Sequence, residues 1–353
     1  MRIGIDARLI NQTGVGVYIR NLLDNLQALE TKDLEFHVYV RSRDKVVIAD
    51  SRFQLHVANY QWHTFAEQIG FLQQLNQDNL DLMHFTYFSY PLLYRHPFVI
   101  TIHDLTPLLH ATGQASTHHP LIYGIKRRVA AHLIKSAISR ARTVIVPSQS
   151  VKAQIVKRYG KNYQDKIVVT YEGLNEKLIT AKENTALVKQ FPRPFYLYVG
   201  NFYPHKNVER LIRTVSSKDL ALVGPNDFFA SRTKNLIKKL GLEKRIFMLH
   251  NRSFQDLVFL YKHASALIHP SLAEGFGLPL LEAAHFDCPV IASDIPVFKE
   301  ILGNNYLAFN PRDIDDMAAK IRLFEKHGGQ KAVLSEKFSF KKMAEQTLAI
   351  YQS

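Results

Sequence analysis

Glu274 and Glu282 stand eight residues apart on either side of a Gly-Phe-Gly-Leu-Pro turn, within the segment IHPSLAEGFGLPLLEAAHFDCPVIAS from Ile268 to Ser293. The turn leads into an apolar helical pattern, and Pro279 suits the opening of a helix, where its missing N–H costs nothing. N–H groups at a helix start lack intrahelical partners and carry the positive end of the dipole, so they attract anions, phosphate above all. Gly275 and Gly277 let the backbone approach a ligand closely or take positive φ. Glu274 falls in the loop and Glu282 one turn into the helix, so two carboxylates border one anion-binding turn. A surface loop ahead of an ordinary helix with two glutamates would carry the same letters, and the rest of the chain has to decide.

Four other segments bear on that choice. Gly4–Tyr18, GIDARLINQTGVGVY, joins a strand, a loop holding Gly14 and Gly16, and a helix. Such a loop brings N–H groups near a phosphate, though an ordinary flexible loop fits as well, and the third glycine of the dinucleotide fingerprint is missing. Thr101-Ile102-His103-Asp104-Leu105 follows an apolar strand, which puts a polar pair at the mouth of a parallel sheet. His103 can bond a hydroxyl there and Asp104 can orient it, or the pair can simply cap the strand. No serine nucleophile accompanies them, so triad chemistry is not favoured. Val199–Asn207, VGNFYPHKN, places Lys206 at a helix N-terminal turn, where its charge adds to the dipole and suits an anionic leaving group. An exposed lysine is the plain alternative. Val223-Gly224-Pro225 and Leu249–Ser253 are the fourth pair of loops, and plain turns explain them equally well.

The elements that must position these groups alternate along the chain. At 353 residues the chain is too long for one typical core, and two domains are expected. Short apolar runs at Arg2–Asp6, Phe36–Val40, Leu55–Val57, Leu82–Phe85, Phe98–Ile102, Thr143–Val146 and Ile167–Thr170 read as strands separated by helical patterns. The second half repeats the scheme from Phe195–Val199, through Leu220–Val223, Ile246–Met248 and Ala266–His269, to Val290–Ala292. Alternation of this kind predicts parallel βαβ units, with ligands at the C-terminal ends of strands. The expected organisation is an N-terminal domain over 1–173, a linker over 174–194, and a second domain over 195–337. A last helix over 338–353 is expected to return to the first domain.

Composition narrows the class. Apolar content of 46% and charged content of 22% are those of a soluble globular protein. The single cysteine, Cys288, lies in an apolar stretch, which excludes a disulfide framework and fits a buried small hydrophobe. MRIGIDARLI goes straight into a strand pattern without a signal-peptide core, and no run of eighteen apolar residues appears, so the expected location is the cytoplasm. The net charge is +14, and residues 119–170 hold eleven Lys or Arg against one acid, Asp165. That concentration points to an anionic surface or partner. Lys126, Arg127 and Arg128 lie beside a helical stripe of Leu121, Ile122, Ile125, Val129, Leu133 and Ile134. This combination predicts peripheral contact with an anionic membrane or acceptor, against a plain solvated face.

The five segments, in this order and covering nearly the whole chain, resemble the family 4 retaining glycosyltransferases, whose signature is Glu-x7-Glu. Bacterial mannosyltransferase-like members with a GIDAR-type strand and HDL and PHKN motifs are the most similar. The resemblance implies the α/β GT-B fold, two doubly wound parallel-sheet Rossmann-like domains facing a central cleft, with the acceptor on the first and a nucleotide-sugar donor on the second. It implies retention at the anomeric carbon without metal or other cofactor, with GDP-mannose as first guess for the donor and UDP-sugars next. The acceptor would be a glycan or a lipid-linked glycan of surface polysaccharide synthesis. Lys206 would hold the diphosphate, Glu282 the ribose, and Glu274 the transferred sugar. The backbone at Phe276, Gly277 and Leu278 would touch sugar and phosphate, Gly14 and Gly16 the phosphate or acceptor, and His103, beside Asp104, the donor sugar. Many relatives have arginine after the glycine matching Gly200, where this chain has Asn201, so His205 or Arg210 would have to supply a second cation. His250-Asn251-Arg252 replaces a glycine-bearing loop near the expected base.

Other readings have less to rest on. Asp313-Ile314-Asp315 opens a helical pattern, so capping explains it better than a metal site. A nucleic-acid binder would be basic too, but few aromatics interleave the basic segment and no known module is recognisable. A sugar-nucleotide epimerase of the same fold would release its product without an acceptor.

Overall fold

The computed structural model describes residues 1–31, 33–41, 46, 48–109, 120–214 and 217–353. Strand β1 (Arg2–Asp6) pairs in parallel with β2 (Glu35–Val40) on one side and β4 (Leu82–Phe85) on the other. Beyond β2 lies β3 (Phe53–Val57), and beyond β4 follow β5 (Phe98–Thr101), β6 (Thr143–Val146) and β7 (Ile167–Val169). The seven strands run in the order β3-β2-β1-β4-β5-β6-β7. Every residue of β4 and β5 is buried, as a parallel sheet covered on both faces requires.

A second parallel sheet comprises β8 (Phe195–Val199), β9 (Asp219–Val223), β10 (Ile246–Leu249), β11 (Ala266–His269), β12 (Val290–Ser293) and β13 (Leu307–Phe309), in the order β10-β9-β8-β11-β12-β13. Each sheet therefore reverses its winding once, between β1 and β4 in the first and between β8 and β11 in the second. In doubly wound sheets such a switch point leaves an open crevice at the strands' C-terminal ends, where ligands bind.

Over the described residues the chain divides into two compact units, 1–109 with 120–172 and 339–353, and 173–214 with 217–338. The helix Phe340–Gln352 belongs to the first and buries Phe340, Met343, Ala344, Thr347, Ile350 and Tyr351, a spacing of three and four that defines one helix face. Its Tyr351 hydroxyl meets Nδ1 of the buried His84 at 2.6 Å, and Nε2 of His84 meets Thr101 Oγ1 at 2.8 Å.

The stretch between the two sheets differs from the expectation. Residues 174–194, expected as a linker, hold a helical turn, Glu176–Ile179, capped by Asn175, and a 3-10 turn, Thr185–Lys189, capped by Asn184. The backbone N–H of Asn184 bonds Gln255 O at 3.0 Å and its amide bonds Asp256 at 2.8 Å, so the stretch is built into the second unit. Between β3 and β4 a π-helical turn, Glu67–Phe71, runs into an α-helix, Leu72–Gln77. The helix Pro296–Leu302 and strand β13 had no counterpart in the sequence reading. Asp313 is an N-cap as expected, accepting from the N–H groups of Asp315 and Asp316.

Candidate active site

In the second unit the two central strands deliver the expected charged pair to one place. After β8 comes the 3-10 turn Pro204–Lys206, followed by Asn207 at φ 61. Asparagine tolerates this left-handed conformation better than most residues, and its buried amide donates to Pro270 O at 3.0 Å and Pro311 O at 2.8 Å. The Leu272 N–H closes the clamp on His205 O at 2.7 Å. The turn after β8 is thereby tied to the loop after β11. Across this join Lys206 Nζ donates to Glu274 Oε1 at 2.6 Å, with side-chain exposures of 14% and 10%. Ser271 Oγ reaches the same oxygen at 2.7 Å and His269 Nε2 at 3.0 Å. Burial would raise the carboxyl of Glu274, but the Lys206 charge and the His269 hydrogen bond hold it well below the usual carboxylate range. His269, in turn, is lowered by its burial despite the neighbouring carboxylate.

Glu282 lies apart from this cluster in its contacts and chemistry. Its Oε2 accepts from the Tyr261 hydroxyl at 2.6 Å, and burial pushes its carboxyl up, opposed by that bond. It sits in the helix Leu278–His285, whose N-cap is Gly277 at φ 131, with Pro279 in the first turn. A side chain at that φ would be strained, so the helix start needs glycine there. Phe276 is buried, with its ring edge-on to Phe338 at 5.8 Å. Asn201 supplies its carbonyl to the buried Tyr198 hydroxyl at 2.5 Å. Arg210, a candidate second cation, donates to Pro311 O at 2.7 Å and serves the same clamp as Asn207. His250 closes on the Gly224 carbonyl through Nδ1 at 2.9 Å, joining the loops after β9 and β10.

In the first unit, Gly14 is the N-cap of the helix Val15–Ala28, at φ 70. Gly16 has a packing reason: a Cβ would stand 2.5 Å from Ile10 O, so only glycine lets the loop lie on the helix. Asp6 and Arg8 of the GIDAR segment form a buried triad with Glu67, Arg8 Nη2 lying 2.7 Å from Asp6 and 2.8 Å from Glu67. Glu67 is a residue that the sequence reading missed. His103 is buried, with Nε2 at 2.9 Å from Thr86 O, Nδ1 at 3.6 Å from Glu172, and its ring edge-on to Tyr18. Glu172, also missed, follows β7 in a Tyr-Glu-Gly sequence whose position beyond a strand end was the available signal. Asp104 has a local partner: its carboxylate accepts the Thr106 N–H at 2.6 Å and caps the turn Thr106–Leu109.

The basic helix, Pro120–Arg140, differs from the expected membrane stripe. Leu133 and Ile134 are buried in the core, because this side of the helix packs on the sheet. Val129 and Arg128 are exposed, while the side chains of Leu121, Ile122, Ile125, Lys126 and Arg127 lie outside the described residues. Some of the basic residues serve carbonyls: Lys166 donates to Ile138 O and Ser139 O, Lys152 to Ile167 O, and Arg140 to Leu92 O and Tyr94 O. Lys166 thereby satisfies carbonyls in the last turn of the helix, and the other two tie strand and loop carbonyls, so part of the charge is structural.

Comparison with known proteins bears on this arrangement. The profile described as Glycosyl transferases group 1 matches residues 180–339, and that described as Glycosyltransferase Family 4 matches residues 12–178. The O-antigen chain mannosyltransferase RfbU of Salmonella typhimurium is 30% identical over 268 residues, 75% of this chain and 70% of the relative. Sucrose-phosphate synthase from Thermosynechococcus elongatus superposes with a TM-score of 0.80 at 20% identity, over 100% of this chain and 98% of that one. Anabaena Alr3699/HepE, solved in complex with UDP and glucose, gives 0.72 at 18% identity, over 100% and 99%. With both halves matched and the two parallel sheets shared, the chain belongs to glycosyltransferase family 4 and is a glycosyltransferase of the GT-B fold.

Proposed function

We propose that this glycosyltransferase moves mannose from GDP-mannose to a hydroxyl of a glycan or lipid-linked acceptor in O-antigen or lipopolysaccharide synthesis. The transfer retains anomeric configuration and needs no metal ion. The observation that carries the reading is the Lys206–Glu274 pair at the β8/β11 switch point, one group suited to a diphosphate and the other to sugar hydroxyls. The mannosyltransferase relative supports the choice of sugar. In the reaction the bond from the anomeric carbon to the β-phosphate oxygen breaks and a bond to the acceptor oxygen forms on the same face. The acceptor proton passes to a phosphate oxygen of the departing diphosphate. Lys206 and the N-terminus of the helix Leu278–His285 stabilise the charge that develops there. Glu274, whose carboxyl Lys206 and His269 hold well below the usual carboxylate range, acts as an oriented anion that accepts hydrogen bonds from sugar hydroxyls. Glu282 takes the ribose hydroxyls, with Asn201, His205 and the backbone at Phe276, Gly277 and Leu278 completing the donor contacts. His103 keeps its assignment to the donor sugar, and the Gly14/Gly16 loop to phosphate or acceptor.

We assign the acceptor encounter to the cytoplasmic face of an anionic membrane, through exposed basic residues such as Arg128 and Lys135. No helix among the described residues is long and apolar enough to cross a membrane. A thermal-shift screen against GDP-mannose, UDP-glucose and UDP-galactose tests the donor, because a ligand that binds only the native state raises the melting temperature. GDP-mannose is expected to give the largest rise, and NMR of the product should show the donor's α configuration. No rise with any of the three, or an inverted product, would overturn the reading.

A further inference from the structure

The oxygens of Glu274 are not equivalent. Oε1 receives Lys206 at 2.6 Å, Ser271 at 2.7 Å and His269 at 3.0 Å. Oε2 has no hydrogen-bond donor among the described residues. We propose that His269 is a positioning residue of the transfer reaction: with Ser271 it anchors Oε1, so that Oε2 is presented to the sugar. The proposal rests on the donor-site reading above and deepens it.

His269 is the last residue of β11 and 1% exposed, its ring stacked on Tyr198 at 5.7 Å and edge-on to Phe298 at 5.5 Å. An apolar side chain would fill such a place without burying a polar atom, whereas Nδ1 of His269 is buried with no hydrogen-bond partner. What the histidine supplies in return is the Nε2–H bond to Glu274. The tautomer follows: a proton on Nε2 makes that bond, and one on Nδ1 would be an N–H buried without an acceptor.

Lys206 cannot do this work alone. It is a point charge on a flexible stem, and it is the group that turns to the donor diphosphate. When it does, Glu274 keeps its orientation through His269, the last residue of a central strand, and Ser271, two residues beyond it. Partners that orient a ligating group are worth about tenfold to a hundredfold in metal sites, and a loss at the lower end of that range is expected here.

The test uses the full chain and follows GDP release from GDP-mannose, with UDP-glucose and UDP-galactose as parallel donors, alongside binding of GDP or UDP alone. His269→Leu should lower kcat about tenfold or more, with the nucleoside diphosphate Kd changed by less than about twofold. His269→Gln, which retains an N–H donor, should recover most of that loss. On a Glu274→Gln background, His269→Leu should add no further loss, since residues acting through one contact are non-additive. His269→Phe, matched to its aromatic neighbours, replaces His269→Leu if the latter does not fold. Near-normal kcat in the apolar variant while Glu274→Gln fails overturns this proposal and leaves the donor-site reading standing. The same holds for a loss that Gln does not rescue and that adds fully to Glu274→Gln, which marks damage to the fold. Near-normal turnover in Glu274→Gln, or no turnover of any donor by the wild type, overturns both.

Discussion

Glu274→Gln should weaken the ligand-free protein and at the same time improve its affinity for a bare nucleoside diphosphate. With the charges 2.6 Å apart, the gross attraction is about 6 kcal/mol at an effective dielectric of about 20. Taking both groups out of water offsets much of that. Removing one partner of a buried pair typically costs about 3–5 kcal/mol. The residual exposure of 14% at Lys206 lets the stranded ammonium find water, so about 2–3 kcal/mol is expected here. Lys206→Met should cost less, because Ser271 and His269 still bond the carboxylate. The double variant should be less destabilised than the sum of the two by about 1–2 kcal/mol, the coupling energy of residues in contact. GDP reverses the ranking. In the wild type its diphosphate has to draw Lys206 away from Glu274, whereas in Glu274→Gln the lysine has no anion to leave. Calorimetric titration should therefore show GDP binding several-fold tighter to Glu274→Gln than to the wild type, and weaker to Lys206→Met. Additive urea-denaturation energies, or weaker GDP binding to Glu274→Gln, would refute the idea that the pair occupies the diphosphate's place.

Three further outcomes follow from other groups. Burial, aided by the neighbouring His103, lowers His84 from its ordinary 6.5 to about 3, so the folded state declines a proton that the unfolded chain accepts below pH 6.5. Stability is then full above that value and falls as the pH drops toward 3, by about 2 kcal/mol at pH 5; urea midpoints should lose this slope in His84→Gln. Arg8→Met strands Asp6 and Glu67 as two buried carboxylates and should cost about 3–5 kcal/mol, read as a loss of soluble, cooperatively melting protein. Glu282→Gln should weaken GDP binding about tenfold, as loss of a charge-assisted bond of about 1.5 kcal/mol would, but leave binding of 2′,3′-dideoxy-GDP unchanged. An equal loss for both nucleotides would remove the ribose role.

Much of the fold was legible because parallel strands covered on both faces read as apolar runs, as at Phe195–Val199 and Leu220–Val223. What escaped was too short for periodicity to register. Leu307–Phe309 has three residues with one fully buried, and Glu176–Ile179 is a single turn held by its Asn175 cap. In the site, Lys206 and Glu274 could be named from their motifs, but their mutual bond spans 68 residues and no local spacing encodes it. His269 escaped for a different reason. A histidine closing an apolar strand reads as core, and only its place five residues before Glu274, at a strand's C-terminal end, hinted otherwise.

The two switch points differ in how completely each cation is committed to protein partners. After β1, Arg8 has every face occupied: Nε and Nη2 bond Asp6, Nη2 also bonds Glu67, Nη1 bonds Tyr60 O at 3.1 Å, and the guanidinium lies 3.9 Å from the Phe71 ring centroid. Among the described residues its two carboxylates have no other cation in contact with them, so drawing Arg8 onto a phosphate would leave two buried anions together, a cost that one ligand contact does not return. After β8, Lys206 has among the described residues a single carboxylate oxygen for a partner, and that oxygen is already held by two other donors. Its departure leaves Glu274 hydrogen-bonded and oriented. The GIDAR segment therefore braces the first sheet, and the phosphate-binding role proposed for Lys206 suits the cation whose partner can be left behind intact.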